Sequence, residues 1–562
     1  MKKLLLFFIT APYLLVAQNF NWVVTHSPGN ASSYSSVKNI SSDPAGNIYV
    51  TGGFGGTVDF DPGPGMQNFN SPGLGLYMQK LDPAGQLSWV NTFTSAGSIT
   101  AKKIKYHNSR IYATGSYFQT IDFDPGPGNT SINASRYADA YICKYDVNGN
   151  LLWAKTLGDS AAVSANDVFC DASGNVISGG HFIERGDFDP GTASYYITPA
   201  GTFDVYISKL DSNGNFVWAK SFPGLGSEFL DAMDMDANGN IYLCVSFSSS
   251  FDADPGLASA MMNTTSPTGA TAIIKLDPNG NFLWAEQFGE GTAGYMNCYS
   301  ISASASGATA VTGFYQGDAD FDPSAATAMH TASGASDGFL LKLQPNGNLD
   351  FVNFYGLANT NNIVMNCRFD ANGSLYAMGY YSDSVRVGNQ LYTSDSTGIF
   401  LHKLDAAGQT AWQGHMPGLL TCNVYPEAAH LTGSSEWFVG GNTVGQIDMD
   451  PGSNTYPLTT NSISGFITKL SGTFNVPENE PINNLLMYPN PSAGLVTIEF
   501  KNTLPVTDVI INVRDVSGRL VFTAAGQPGS AAQFDLRGFA SGFYTVEITG
   551  ASFKHVTKLV KL

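Results

Sequence analysis

Apolar and polar residues alternate along most of the chain in short runs such as Ile48-Tyr49-Val50-Thr51-Gly52, and Asp, Asn, Gly and Pro separate the runs. A period of two places successive side chains on opposite faces of a strand, whereas a helix needs apolar residues three and four apart. Asn or Asp beside Gly supplies the positive φ that tight hairpin turns require. The pattern predicts antiparallel strands joined by hairpins, and an all-β fold class.

The runs belong to a repeat. An apolar-x-Lys-apolar element, usually followed by Asp, recurs at Lys80, Lys144, Lys209, Lys275, Lys342, Lys403 and Lys469, in steps of 64, 65, 66, 67, 61 and 66 residues. Seven of only 19 lysines hold this place, too many for chance. Each unit has the same parts in order: an Asp-x-x-Gly-Asn type turn (Asp43 to Asn47), an alternating run, an Asp-Phe-Asp-Pro-Gly loop (Asp59 to Gly63), the lysine strand, a second Asp-x-x-Gly turn, and a strand bearing Trp. Each unit therefore reads as four antiparallel strands. Seven such units predict a β-propeller, in which radial repetition leaves only short edges, rather than a linear stack needing capped ends.

The two ends of the repeat complement each other. Nine residues after the lysine stand Trp89, Trp153, Trp218, Trp284, Phe351 and Trp412, but in the seventh unit that place is Glu478, in a stretch without strand pattern. The spare copy is N-terminal: Phe20-Asn21-Trp22-Val23-Val24-Thr25 matches Leu151-Leu152-Trp153-Ala154-Lys155-Thr156. The expectation is a seven-bladed β-propeller over 18–472, closed by the N-terminal strand, which would remove two free edges. With Gly46-Asn47-Ile48-Tyr49-Val50-Thr51-Gly52 and the Lys-Leu-Asp…Gly-Asn…Trp run from Lys209 to Trp218, the repeat resembles the SBBP-type propeller repeats of exported bacterial proteins. That resemblance covers roughly residues 19–472 and speaks to fold, not activity.

Residues 473–484 are rich in Pro, Asn and Glu and read as a linker. Beyond it, strands are predicted at 495–500, 509–513, 520–523, 542–549 and 556–562, a spacing that suits a small Ig-like β-sandwich over 485–562. This segment resembles the C-terminal sorting domain of type IX secretion cargo. The matching residues are Tyr488-Pro489-Asn490-Pro491-Ser492-Ala493-Gly494, Asp515-Val516-Ser517-Gly518-Arg519-Leu520-Val521, the run from Leu536 to Tyr544 that holds Gly542, and Lys558-Leu559-Val560-Lys561-Leu562. Phe539 stands where the family more often has Leu. The resemblance implies a type IX secretion machinery as partner, with delivery to the medium or the outer-membrane surface.

Residues 1–17 fit that route. Lys2 and Lys3 precede an apolar run from Leu4 to Ala17, too short for the roughly 20 residues of a membrane span, so a signal peptide cleaved near Ala17 is expected. The net charge of −18 opposes nucleic-acid binding, which needs a basic face. A monomer is expected. Cys143, Cys170, Cys244, Cys298, Cys367 and Cys422 occupy different places in the repeat and form no CxxC, so buried free thiols are expected although export permits disulfides.

The most regular polar feature is a pair of carboxylates at i and i+2: Asp59/Asp61, Asp122/Asp124, Asp187/Asp189, Asp252/Asp254, Asp320/Asp322 and Asp448/Asp450. The sixth unit has Val385-Arg386-Val387-Gly388 instead. Propeller topology would set these six loops around one mouth of the channel, with both Asp-x-x-Gly turns on the other face. Such a pair supplies part of a Ca²⁺ shell, with backbone carbonyls and water completing it. The competing reading is that Asp caps the turn and Pro-Gly shapes it. The sequence favours the turn, because two carboxylates are few for calcium.

No catalytic constellation is recognised. The eight histidines fall at unrelated repeat positions and form no metal motif. Arg110, Arg136, Arg185, Arg368 and Arg386 are scattered, unlike a sialidase cluster. Glu184, Glu228, Glu286 and Glu290 break the repeat and are expected to be solvated surface groups. A non-catalytic binding or adhesion module with a glycan or protein ligand is the first expectation. A secreted polysaccharide hydrolase or lyase is the second.

Overall fold

A computed structural model describes residues 19–472, apart from 96, 135, 160, 267, 290–293, 325–326, 434–435 and 453, together with 485–488, 492–500, 509–515, 519–526, 531–550 and 554–561. The expected signal peptide, the linker and Glu290 lie outside the described residues. The chain forms two compact units, one of Gln18–Phe474 and one that takes in Asn475–Leu562. All helix and strand structure among the described residues is β.

In the first unit, strands follow one another as antiparallel sheets in which sequence neighbours pair. The first sheet has Asn39–Ser42, Ile48–Asp59, Asn68–Leu81 and Leu87–Phe93, with two short strands added to its second strand. The second has Lys103–His107, Arg110–Tyr117, Asp139–Asp146 and Leu151–Leu157, and the third Ala162–Cys170, Val176–Ile183, Asp204–Leu210 and Phe216–Phe222. The fourth runs from Glu228–Met235 to Phe282–Phe288, the fifth from Tyr295–Ala303 to Leu349–Tyr355, and the sixth from Asn362–Phe369 to Thr410–Met416. The seventh joins Gly418–Thr432, Glu436–Asp448 and Pro457–Ser471 to the distant Asn19–Thr25.

The register explains the lysine repeat. Lys80 pairs with Trp89, Lys144 with Trp153, Lys209 with Trp218, Lys275 with Trp284, Lys342 with Phe351 and Lys403 with Trp412. Lys469 pairs in the same way with Trp22. The lysines reach the following sheet. Lys144 Nζ donates to Ser212 O at 2.7 Å, Lys209 to Pro278 O at 3.2 Å and Lys342 to Ala406 O at 2.7 Å, each acceptor lying in the next unit's second Asp-x-x-Gly turn or its equivalent. The indoles do the same: Trp89 Nε1 donates to Val147 O at 3.2 Å, Trp284 Nε1 to Pro345 O at 3.1 Å, and Trp22 Nε1 to Pro83 O of the first sheet at 3.3 Å. The repeat is thus a device for joining sheets.

The turns are as local as their sequence suggests. Asp43 Oδ1 accepts from the amides of Ala45 and Asn47 at 3.0 and 2.9 Å, and Gly46 takes φ +83°, where a side chain would strain the backbone. Apolar cores lie between consecutive sheets. Tyr242 and Cys244 of the fourth pack with Val311 and Phe339 of the fifth, and Val37, Ile48 and Tyr77 of the first with Phe438 and Ile467 of the seventh.

The second unit has a sheet of Leu485–Tyr488, Leu495–Phe500 and Ala531–Asp535, and another ordered Leu520–Gly526, Val509–Asp515, Gly542–Gly550, Lys554–Lys561. Leu485–Tyr488 and Ala531–Asp535 are strands the sequence pattern did not reveal. Val496, Ile498 and Phe534 of one sheet share a core with Ile511, Val513, Val546 and Leu559 of the other.

Candidate functional site

The first strand of each sheet carries the same irregularity. Its pairing skips one residue between Ala165 and Asp167, Leu230 and Ala232, Cys298 and Ser300, Val364 and Asn366, and Pro426 and Ala428. In the first two sheets, Lys38 and Lys102 each donate to a threonine already opposed by the next residue. Such a bulge frees one residue from the ladder and re-aims its side chain. The residues freed include Lys38, Lys102, Asn166, Asp231, Tyr299 and Glu427, and all of these line one polar cavity of about 140 Å³. Arg368 of the sixth sheet completes a lining drawn from all seven sheets.

Hydrogen bonds between first strands hold this lining. Asn39 Oδ1 accepts from Ile104 N at 3.2 Å, Lys103 Nζ meets Asp167 Oδ2 at 3.0 Å, and Asp234 Oδ2 accepts from Ala303 N at 2.8 Å. Arg368 Nη1 donates to Ile301 O at 3.2 Å. Lys38 Nζ donates to Glu427 Oε1 at 2.7 Å, which joins the first sheet to the seventh.

Charge is concentrated here. Of the six lysines of residues 18–472 outside the repeat position, Lys38, Lys102, Lys103 and Lys105 lie on or just before the first strands of two neighbouring sheets, and Arg368 is within charge range of Lys105. Burial holds Lys102 and Lys105 below the usual lysine range, and repulsion from Lys38 adds to this at Lys102. Lys105 Nζ sits 5.2 Å from the centre of the Phe169 ring. The Asp231 carboxyl is pushed up to about 7 by burial, against a hydrogen bond from Ser246. Tyr299, which is 40% exposed, stacks on Phe314 at 5.9 Å.

The acidic loops lie away from this cavity. None of their aspartates lines the cavity. The loops dock on the end of the preceding sheet's fourth strand: Asp187 N donates to Gly158 O at 3.2 Å, Asp252 N to Pro223 O at 2.8 Å, and Asp448 N to Pro417 O at 3.0 Å. Their first carboxylate turns inward. Asp59 Oδ1 accepts from the amides of Asp61 and Gln67 at 3.0 and 2.8 Å. Asp122, Asp187, Asp252, Asp320 and Asp448 repeat this pair of bonds. The second carboxylate caps the turn: Asp61 Oδ1 accepts from Gly63 N at 2.8 Å, and Asp124, Asp189, Asp254, Asp322 and Asp450 do likewise. Backbone N–H groups, which repel a cation, therefore face these oxygens. Among the described residues no group of three or more His, Cys, Asp or Glu side chains is arranged to hold a metal ion.

Other titratable groups are structural. His26, His181 and His415 are held down to about 4, and His402 and His430 to about 3, all mainly by burial. The six cysteines are free and buried. Glu184 is exposed and Glu286 partly buried, but Glu228 is fully buried, which corrects its reading as a solvated group. Its neighbour Asp204 is also fully buried and accepts from Ala200 N at 3.0 Å.

In the C-terminal unit, Pro489, Asn490, Pro491 and Gly518 lie outside the described residues, while Tyr488 and Lys558 sit on strands. Gly494 has φ +127°, and a Cβ there would meet the Arg537 backbone at 2.9 Å. Tyr544 is buried, and its hydroxyl donates to Ala540 O at 2.6 Å.

Comparison with known proteins bears on the two units unequally. An uncharacterized WD repeat-containing protein of Acanthamoeba polyphaga mimivirus is 23% identical over 350 residues, covering 49% of this chain and 24% of its own length, so the chain spans about a quarter of that relative. A crystal structure of a protein of unknown function from Dyadobacter fermentans aligns with 81% of this chain and 100% of its own, at 10% identity and a TM-score of 0.37. The extracellular domain of a putative hybrid two-component system from B. thetaiotaomicron aligns with 96% and 100%, at 9% identity and a TM-score of 0.18. Residues 486–562 match the secretion system C-terminal sorting domain, which indicates export by the type IX system to the cell surface or extracellular space and an interaction with its machinery.

Proposed function

We propose that residues 18–472 form a seven-bladed β-propeller of the SBBP type that works, once exported, as a non-catalytic binding or adhesion module. The identical Lys–Trp register, with Trp22 in the place of the missing seventh aromatic, supports the propeller. So does the WD repeat named in the viral relative, since such repeats build propellers. One observation carries the function: side chains from all seven sheets converge on one polar cavity, and they are the residues that depart from the repeat. A repeat maintains the scaffold, so chemistry specific to this chain belongs where the repeat is broken.

The acidic loops are turn formers in this reading, since each carboxylate already satisfies backbone amides. Millimolar calcium then leaves the melting temperature unchanged, whereas a rise of several degrees would restore the metal reading. A polysaccharide hydrolase or lyase is the second reading. Asp231, held near neutrality in a cavity that Asp167 and Glu427 also line, is the observation that favours it. A glycan array and a polymer-degradation screen on the exported chain separate the two. Saturable binding without turnover is expected, and turnover abolished by Asp231→Asn would overturn the binding-module reading.

A further inference from the structure

The cavity's charges carry an inference that rests on the binding reading above and names the ligand class. In a chain of net charge −18, five cationic side chains gather at or beside one small cavity. Two of them have their charge matched: Lys38 by Glu427 and Lys103 by Asp167. The ammonium groups of Lys102 and Lys105 have no ion pair or hydrogen bond among the described residues, Lys105 facing only the Phe169 ring, and Arg368 is bonded only to the carbonyls of Ile301 and Cys367 through Nη1. Asn366, 8% exposed on the cavity wall, has an Oδ1 without a partner among the described residues. A buried acceptor such as Asn366 Oδ1 costs free energy unless something meets it, and Lys102, exposed at the cavity, is open to a ligand. An anion would satisfy the cations, and a hydroxyl would satisfy Asn366.

The remaining wall selects the scaffold that bears the anion. Tyr299, 40% exposed, lines the cavity, and Tyr425, 41% exposed, packs edge-on against Tyr380 at 5.5 Å. The electron-rich face of such a ring suits the C–H face of a pyranose. The volume of about 140 Å³ admits one sugar unit or less, so an oligomer would enter by one residue.

We propose that the cavity binds an acidic saccharide, its carboxylate or sulfate meeting Lys102 and Arg368, its ring lying on Tyr299 and a hydroxyl donating to Asn366. The test is calorimetric titration of the full exported chain with an oligouronate, a sulfated oligosaccharide and neutral dextran, each at low and high salt. At least one acidic oligomer should bind, more weakly at high salt, with dextran much weaker than either; which acid binds identifies the anion. Lys102→Gln should lower affinity about fivefold to tenfold, the loss of one charge-assisted hydrogen bond. Tyr299→Ala should lower it by a similar factor without changing the salt dependence. Lys155→Gln, on an outer strand, is the folding and charge control and should bind as the wild type does. Dextran binding as tightly as the acids, or Lys102→Gln binding unchanged, overturns the anionic-ligand inference while leaving a binding module. Absence of binding to every saccharide on the array overturns both.

Discussion

Glu228 is the residue most at odds with its surroundings. Three positions before the bulge, where Val163, Met296, Asn362 and Val424 stand in other sheets, it places a carboxyl in a fully buried site beside Asp204. Burial and the Asp204 charge push it up to about 8, and the Gly226 amide opposes them. The folded state therefore holds a proton that the unfolded chain releases near its ordinary value of 4.5. This contribution to stability is full below about pH 4.5 and is lost as pH rises through about 8. Glu228→Gln should raise the melting temperature at pH 8.5, by an amount worth up to about a few kcal/mol, and change it little at pH 4.5. Equal melting curves at both pH values would show that the site is solvated. The five histidines held down by desolvation act in the opposite sense, because each is held below its unfolded value and loses stability as pH falls from about 6.5. Neither effect was legible in the sequence, where a Glu or His carries no mark of its burial. Lys102, Asp231 and Tyr299 could have been found: each stands at a nearly constant distance before its repeat lysine, and only the bulge hides that they share a wall.

At the level of elements, the sequence was most informative where one signal serves one strand. The lysine and aromatic positions fixed which strands pair, and the structure gives Trp22 the same register against Lys469 as Trp153 has against Lys144. Trp22 is half-buried, less than a core aromatic. Trp22→Ala should therefore cost about 2–3 kcal/mol, read from denaturant unfolding of the first unit. A change below about 1 kcal/mol would mean that the N-terminal strand contributes little. What the sequence concealed were two short strands with little alternation, Leu485–Tyr488 and Ala531–Asp535, whose place comes from pairing with Leu495–Phe500. The acidic loops were legible as turns. Their docking on the preceding sheet depends on backbone bonds between units, which no local pattern encodes.

For the whole molecule, residues 486–562 match the sorting domain that indicates export, and the seven sheets form a unit separate from it. Address and scaffold were both readable because each is written in recurring motifs. The cavity was not, because it is assembled from single residues spread over nearly 400 positions from Lys38 to Glu427. The most direct test of the account is a crystal structure of the exported chain bound to the saccharide that titrates most tightly. The expected result is seven sheets closed by the Asn19–Thr25 strand, with the ligand in the cavity between Lys102 and Tyr299. A ligand seated on the acidic loops, or an open array of sheets with that strand detached, would contradict it.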